Sequence, residues 1–183
     1  LSVIGDHAFR DCTALERIDI PSSVTKIGNN AFQTCTSLDN ITLRNGLSII
    51  GSEAFRGCVS VENIDIPNTV TDLGMHSLRE CFKLEKVDLR NVAAQTVPYC
   101  FLYGDTALED VKLNPDTLIV SNSAFYGCSS LTELDFDDCI NLALVDNNAF
   151  YGTGITELDF SNRVEKTVYY DKCEVEYLNF TSG

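Results

Sequence analysis

Residues 50–66 read IGSEAFRGCVSVENIDI, and this stretch decides the fold because its pattern returns along most of the chain. It holds an apolar anchor followed by glycine, an Ala-Phe pair and a cysteine, and the same pattern begins 23 residues earlier at Ile27. The cysteines that keep this step of 23 are Cys12, Cys35, Cys58 and Cys81. The anchors of successive units are Ile4, Ile27, Ile50, Leu73, Thr96, Val120 and Val145. Self-similarity at such a fixed period predicts a solenoid of stacked repeats.

A second signature, apolar-x-x-apolar-x-apolar, recurs eight times in step with the first. The eight triplets are Leu15/Ile18/Ile20, Leu38/Ile41/Leu43, Val61/Ile64/Ile66, Leu84/Val87/Leu89, Leu108/Val111/Leu113, Leu131/Leu134/Phe136, Ile155/Leu158/Phe160 and Val175/Leu178/Phe180. Alternation at period two predicts a strand with one buried face, and copies in one register predict parallel strands stacked side by side.

The residues between triplets predict the return path of each coil. Each connection holds a Pro or Asn turn, an apolar pair and an Ala-Phe-x-x-Cys segment, in which Phe55 and Cys58 fit one helical or 3₁₀ turn. We therefore predict an α/β fold: a right-handed solenoid with a parallel β-sheet on the concave side and short helical/3-10 turns on the other. The fifth unit puts Cys100 in the alanine position, so the predicted core column is Phe9, Phe32, Phe55, Leu78, Phe101, Phe125 and Phe150.

Composition limits the partners. The 183 residues include 27 acidic and 13 basic side chains, a net charge of -14, which disfavours phosphate backbones and anionic lipid; we expect no nucleic-acid partner. No apolar run is long enough to cross a bilayer, so no membrane insertion is expected in this segment. We expect a single monomeric domain over residues 1–183, with about eight rungs, a degenerate last rung from about residue 164, and an origin in a longer protein.

One repeat pattern identifies a family resemblance. From Leu15 to Cys35 the chain reads Leu-x-x-Ile-x-Ile-Pro-x-x-Val-x-x-Ile-Gly-x-x-Ala-Phe-x-x-Cys, and the pattern returns from Val61. This resembles the 23-residue leucine-rich repeat of the BspA-like family. The resemblance implies a leucine-rich-repeat solenoid in a secreted or cell-surface protein of a host-associated microbe, with a role in adhesion, and it implies no catalytic residues and no cofactor.

The cysteine column predicts structure more than chemistry. Neighbouring rungs place cysteine Cα atoms at about 4.8 Å, but parallel Cβ vectors do not offer the disulfide torsion near 90°. We therefore expect buried, reduced thiols along the column, and no zinc site because the ligands do not converge. Cys139 and Cys173 lie off the column and are expected to be the more reactive. The column itself comprises Cys12, Cys35, Cys58, Cys81 and Cys128.

The two histidines give no support for catalysis. His7 and His76 occupy the same repeat position three rungs apart, at a place that varies between units and is expected to be exposed. Separation along a solenoid keeps them out of any shared site, and neither has a nucleophile at catalytic spacing. We therefore predict that the protein is not an enzyme and has no metal centre.

Carboxylates follow the outward positions of the predicted strands. Positions one, two and four after each first anchor give 24 sites, which hold 14 of the 27 acids. We predict a protein–protein recognition or adhesion module that binds a basic surface, such as that of a host protein, through this sheet face. Two alternatives remain open: a face that only keeps the stack soluble, and a rigid spacer that presents another domain. The predicted partner-binding residues are Asp65, Asp88, Asp110, Glu133, Asp135, Glu157, Asp159 and Tyr177.

The outer edge changes character along the chain. All seven tyrosines follow residue 98, and the residue after the column ring changes from basic to aromatic. The positions in order are Arg10, Gln33, Arg56, Arg79, Leu102, Tyr126 and Tyr151. Tyrosine is common at interfaces, so this edge is a second candidate surface; the alternative is that Tyr126 and Tyr151 pack on one another.

Overall fold

The computed structural model describes residues 1–161, 167–168 and 177–179, and the regular elements in these ranges are parallel strands. The strands fall into two groups, longer and shorter, which lie on different faces of the solenoid. The longer strands, which come from the apolar triplets, are β2 (Arg17–Ile20), β4 (Asn40–Leu43), β7 (Lys86–Asp88), β9 (Asp110–Lys112), β12 (Glu157–Asp159) and β14 (Tyr177–Asn179). They pair in register as β2 with β4, β7 with β9 and β12 with β14.

The shorter strands follow the longer ones along the chain and lie on the adjacent face of the coil. They are β1 (Val3–Ile4), β3 (Lys26–Ile27), β5 (Ile49–Ile50), β6 (Asp72–Leu73), β8 (Thr96–Val97), β10 (Ile119–Val120), β11 (Leu144–Val145) and β13 (Thr167–Val168). They stack as two separate sheets, β1-β3-β5-β6 and β8-β10-β11-β13. The chain makes about six turns between β1 and β11. The parallel solenoid is therefore confirmed, but this second stack was missed because each strand has only two residues.

Two of the eight predicted triplets do not form strands. The triplet Val61/Ile64/Ile66 contributes only an isolated bridge between Asn63 and Lys86, and residues 131–136 have no strand. Their apolar side chains are still buried, Val61 and Leu131 completely. Inward burial therefore continues through all the rungs from Leu38 to Phe160, while the hydrogen-bonded sheet is interrupted.

The predicted helical or 3₁₀ turns are wrong, and with them the α/β class, because the described residues contain no helix. In the first unit the amides of Ala8, Arg10 and Cys12 bond within their own turn. The alternate amides, of His7, Phe9 and Asp11, instead donate along the solenoid axis to carbonyls of the next rung, at 2.7–2.9 Å. A helix directs every amide along its own axis and cannot make this second set of bonds.

Left-handed residues produce the alternation of amide directions. The position of His7 has positive φ in every unit, with values of 60° at His7, 55° at Asn30 and 56° at Glu53. A second left-handed position follows four residues later, at Asp11, Thr34, Gly57, Glu80, Gly104, Gly127 and Gly152. Such residues end right-handed helical winding, so the segment becomes a flat, axially bonded turn.

The predicted register of the fifth unit is also wrong by one residue. Val97, and not Thr96, faces inward and pairs with Val120. The extra residue lies before this strand, so Cys100 takes the left-handed position with a φ of 49°, and Phe101 takes the alanine position. Leu102 then follows Leu78 in the predicted core column, called the ring column below. The bonds show this, because the Leu78 amide donates to the carbonyl of Phe101 just as the Phe32 amide donates to the carbonyl of Ala54.

The core is one continuous stack between the faces of the coil. The rings of Phe9, Phe32 and Phe55 are stacked with centroids 5.2 and 5.3 Å apart, and Phe125 stacks on Phe150 at 5.6 Å. Phe9, on the first rung, is 37% exposed, whereas Phe32 and Phe55 are fully buried. The eighth rung predicted from about residue 164 lies mostly outside the described residues. Within the described ranges, no helix is long and apolar enough to traverse a bilayer.

Candidate functional site

Five of the eight predicted partner-binding residues line one groove on the face of the long strands. This acidic groove spans β9, residues 132–137 and β12, and has a volume of about 630 Å³. Apolar neighbours such as Val111, Leu134 and Leu158 are buried beneath it, so alternation directs the charged side chains outward. Among its described lining residues Lys112 is the one cation, and the seven carboxylates are Glu109, Asp110, Glu133, Asp135, Asp137, Glu157 and Asp159.

Three carboxylates of the acidic groove, Glu133, Asp135 and Glu157, are not compensated by any described cation. The Lys112 Nζ lies 3.1 Å from Asp110 Oδ1, and both side chains are about half exposed. Within residues 1–161, no ion pair involves Glu133, Asp135 or Glu157. Like charges on neighbouring rungs repel one another, so this arrangement favours a cationic ligand over a further anion.

Two of the carboxylates also have a structural task. Asp135 Oδ1 accepts the backbone N–H of Asp137 at 2.7 Å, and Asp159 Oδ1 accepts that of Ser161 at 2.7 Å. Each bond fixes the bend by which the chain leaves the face, a common role of aspartate side chains. Glu133 and Glu157, two residues earlier in each rung, are exposed and make no such bond. The glutamates are therefore the better probes of binding.

Asp65 and Asp88 do not line the acidic groove. Asp65 is exposed on the third rung, and Asp88 forms a two-point pair with Arg90, with Nη2–Oδ2 at 2.6 Å and Nε–Oδ1 at 3.1 Å. The hydrogen bonds from Arg90 lower the pKa of Asp88. Asp19 is paired in the same way with Arg44, at 2.6 Å. Sequence reasoning counted charges only on the strands and so missed both arginines, which lie just beyond strand ends.

Tyr177 can be placed only by its backbone. It lies in β14 and is the register partner of Glu157. Its side chain falls outside the described part of the structure. Its role in partner binding stays a prediction.

The cysteine column makes bonds to backbone carbonyls. The thiols of Cys35, Cys58 and Cys81 each donate to the ring-column carbonyl of the preceding rung, at 3.1, 3.2 and 3.4 Å. Burial raises the pKa of Cys35 to about 11 and that of Cys58 to about 12, so the reactive thiolate is scarce. These contacts support inert thiols; the redox state itself stays a prediction.

Two cysteines and one column position depart from what the sequence predicted. Cys12 is exposed, because no rung precedes it in the described stack. Cys139 was expected to be among the more reactive cysteines, yet it is 2% exposed and its thiol donates to the carbonyl of Asn114 at 3.4 Å. In the fifth unit the column position belongs to Asp105, a buried carboxyl that sequence reasoning overlooked because the register was misplaced. Cys173 lies outside the described residues.

The two histidines differ in their surroundings. His7 is exposed as predicted, but His76 is half-buried and meets the ring of Tyr99 edge-on at 5.0 Å. Burial lowers the pKa of His76, and the neighbouring Arg79 acts in the same direction. Both residues occupy the left-handed position, so what this position requires is a backbone conformation and not exposure alone.

The outer edge of the C-terminal rungs is a tyrosine ladder. Tyr103, Tyr126 and Tyr151 stack with ring centroids 4.6 and 4.7 Å apart. The guanidinium of Arg79 lies 4.4 Å from the centre of the Tyr103 ring and closes the ladder at one end. The predicted packing of Tyr126 on Tyr151 is confirmed. Tyr103, and not Leu102, precedes them, as the corrected register requires.

Comparisons with known proteins agree with this architecture, which is that of a leucine-rich-repeat solenoid. The profile of the BspA type leucine rich repeat region matches six copies, over residues 2–114 and 96–182. The chain belongs to this family. No curated protein matches it.

Solved bacterial structures share the fold. The leucine rich repeat protein of T. pallidum is 30% identical with a TM-score of 0.72, over 83% of this chain and 70% of that one. A leucine rich cell surface protein from Faecalibacterium prausnitzii is 19% identical with a TM-score of 0.65, over 99% and 65%. A leucine-rich repeat protein from Eubacterium ventriosum is 25% identical with a TM-score of 0.64, over 78% and 44%. The chain thus spans less than two-thirds of the length of these last two.

Proposed function

We propose that this chain is a non-catalytic recognition module of a secreted or cell-surface protein, and that it binds a basic protein surface in the acidic groove. The observation that carries the proposal is the concentration of seven carboxylates in one groove, where Lys112 is the one cation among the described lining residues. Membership of the BspA-type family agrees with an interaction module. An adhesive role toward a host protein, and action as a monomer, belong to the same proposal.

The mechanism is electrostatic docking onto a rigid surface. The groove floor is fixed by buried residues such as Val111 and Leu158, so the backbone that carries the acidic side chains is held in place before a ligand arrives. A partner with lysine or arginine at matching positions gains steering at long range and charge-assisted hydrogen bonds at contact. Its association rate should therefore fall steeply as salt is raised.

The test reverses charge in the groove and at a matched place outside it. The groove variant is Glu133→Lys with Glu157→Lys, which avoids the aspartates that fix the backbone. The control is Glu16→Lys with Asp39→Lys, an equal charge change at exposed positions on the first two rungs. Surface plasmon resonance would measure binding to poly-L-lysine and to a folded basic protein such as lysozyme.

We expect the groove variant to lose about tenfold or more in affinity while the control keeps most of its binding, because contact charges act at short range. Equal losses in both variants would mean that only overall charge matters. That outcome would favour the solubilising or spacer role and end the docking proposal. Thermal unfolding of both variants checks that each remains folded.

A further inference from the structure

The stack of short strands is broken between the fourth and fifth rungs, where β6 and β8 do not pair. In the first four rungs the amides of Gly28, Gly51 and Gly74 donate to the carbonyl of the preceding rung at 2.7–2.9 Å. The next residue in this position is Pro98, which has no N–H to donate. Among the described residues, Thr71 also accepts no backbone bond from Gln95 or Thr96.

The missing amide and the ring of Pro98 explain why the rungs separate here. Ser121 and Asp146, which carry a Cβ at the same position, still donate to the preceding rung at 3.0 and 2.9 Å, so a Cβ by itself does not break the ladder. Pro98 differs from them because it has no N–H and its ring fills the place from which the amide would donate. The resulting gap has a volume of about 400 Å³ and is bordered by Leu73, Pro98 and two exposed apolar residues, Met75 and Tyr99.

Unpartnered buried groups also occur on the two rungs that meet at this junction. Four buried side-chain polar atoms in the described residues have no hydrogen-bond partner, and three of them belong to His76, Ser77 and Asp105. The first two lie on the fourth rung and the last on the fifth. Each such group weakens the packing of one rung on the next, because burial removes water without supplying another partner.

The other two sides of the junction remain bonded. The amides of His76 and Leu78 donate to the carbonyls of Tyr99 and Phe101 at 3.0 and 3.2 Å. On the long-strand face, β7 pairs with β9 in register. The junction can therefore open as a wedge on the short-strand side while the opposite face stays closed.

We propose that this junction is an opening seam, at which the fourth and fifth rungs separate locally while both halves stay folded. Opening exposes the buried surface next to Tyr99, including Cys100, which is 3% exposed in the closed state. Local openings of this kind occur where few hydrogen bonds hold a segment in place. The seam is independent of the acidic groove, which lies on the long-strand face.

Native-state thiol labelling tests the seam. The protein is alkylated under folding conditions, and each cysteine is followed by peptide mass spectrometry, with its rate normalised to that in the unfolded chain. Cys58 and Cys128 are internal controls, since both are fully buried between two rungs. We expect Cys100 to label at least about tenfold faster than either, because more than one ladder bond is missing at the seam. Equal rates at the three cysteines would overturn the proposal.

A pair of variants tests the cause. Pro98→Ala supplies an N–H and a smaller side chain, and it should slow labelling of Cys100 by about twofold to tenfold, the effect of one hydrogen bond. Pro115→Ala makes the same change in an exposed turn and should leave that rate unaltered. A Pro98→Ala protein that is folded and labels at the wild-type rate would show that the missing ladder bond does not open the seam.

Discussion

The rungs before and after the seam use one repeat but stack it differently. In the N-terminal block, residues 1–91, the glycine column of Gly28, Gly51 and Gly74 brings rungs into backbone contact. In the C-terminal block, residues 92–161, the same column holds Pro98, Ser121 and Asp146. The comparison teaches that the large buried side chains make a rung, while the residue on its rim decides whether the backbone ladder continues, since Ser121 and Asp146 donate to the preceding rung at 3.0 and 2.9 Å and Pro98 has no N–H.

The outer edges of the two blocks stabilise their columns by different interactions. Arg56 in the N-terminal block pairs with Glu53 at 2.9 Å and with Glu80 at 3.3 Å. The C-terminal block instead stacks tyrosines, which tolerate identical neighbours. A column of arginines alone would repel itself, so it needs an interleaved column of glutamates, whereas aromatic rings attract their own copies.

The largest expected effect tests whether the blocks share one core. Phe55→Ala and Phe125→Ala each remove a fully buried ring of the column, one in each block. Each should lower the free energy of unfolding by about 3 to 5 kcal/mol, through lost burial and an unfilled cavity. Chemical denaturation measures both. Phe9→Ala, at the exposed end, is the control with a smaller loss, and a cost below about 1 kcal/mol at either buried site would contradict a common core.

A moderate difference in stability is expected between the two blocks when the same column position is changed to alanine. Gly51→Ala places a Cβ against the backbone of Gly28 and should cost about 1 to 3 kcal/mol by overpacking. Ser121→Ala, at the same position of the C-terminal block, should change stability by less than about 0.5 kcal/mol. Equal effects in a denaturation experiment would mean that the rungs of both blocks approach equally closely.

The smallest effect concerns Asp105, which replaces a column cysteine beside the seam. Its Oδ1 accepts the amide of Cys81 at 2.8 Å, its Oδ2 has no partner, and the groups around it are Cys81, Cys128 and the carboxylate of Glu80. Burial raises its pKa well above the usual 3.8. The folded state therefore binds a proton at this carboxyl more tightly than the unfolded state does. The contribution of Asp105 to the free energy of unfolding falls as pH rises above the usual pKa of an aspartate.

Asp105→Cys should remove this dependence and stabilise the protein at neutral pH by an amount on the order of 1 kcal/mol, because the thiol restores the column. Unfolding free energies of both proteins would be measured between acidic and neutral pH. The difference between them isolates Asp105 from carboxylates such as Asp88, whose lowered pKa has the opposite sign of effect. A difference that stays constant with pH would show that Asp105 is not protonated in the fold.

Much of the architecture could be predicted because each rung repeats the same local constraints. The spacing of Cys12, Cys35, Cys58 and Cys81 indicated the repeat, and period-two triplets indicated the parallel strands and their buried side chains. The acidic groove was anticipated for the same reason, since Glu133 and Glu157 alternate with buried neighbours. Its boundary was not, because Arg44 and Arg90 reach their aspartates from beyond the strand ends.

The sequence by itself determined the repeat, its direction of burial and the excess of negative charge, since these depend on residue type and spacing within one unit. The tertiary structure decided the turn conformation, the register at Val97 and the seam beside Pro98, because all three depend on bonds between neighbouring rungs. The left-handed conformation of a residue such as Asn30 directs its amide to a carbonyl of the next rung, one full coil away. A single missing amide at Pro98 matters only once the rung before it is in place, and pattern reading within one unit does not include that contact.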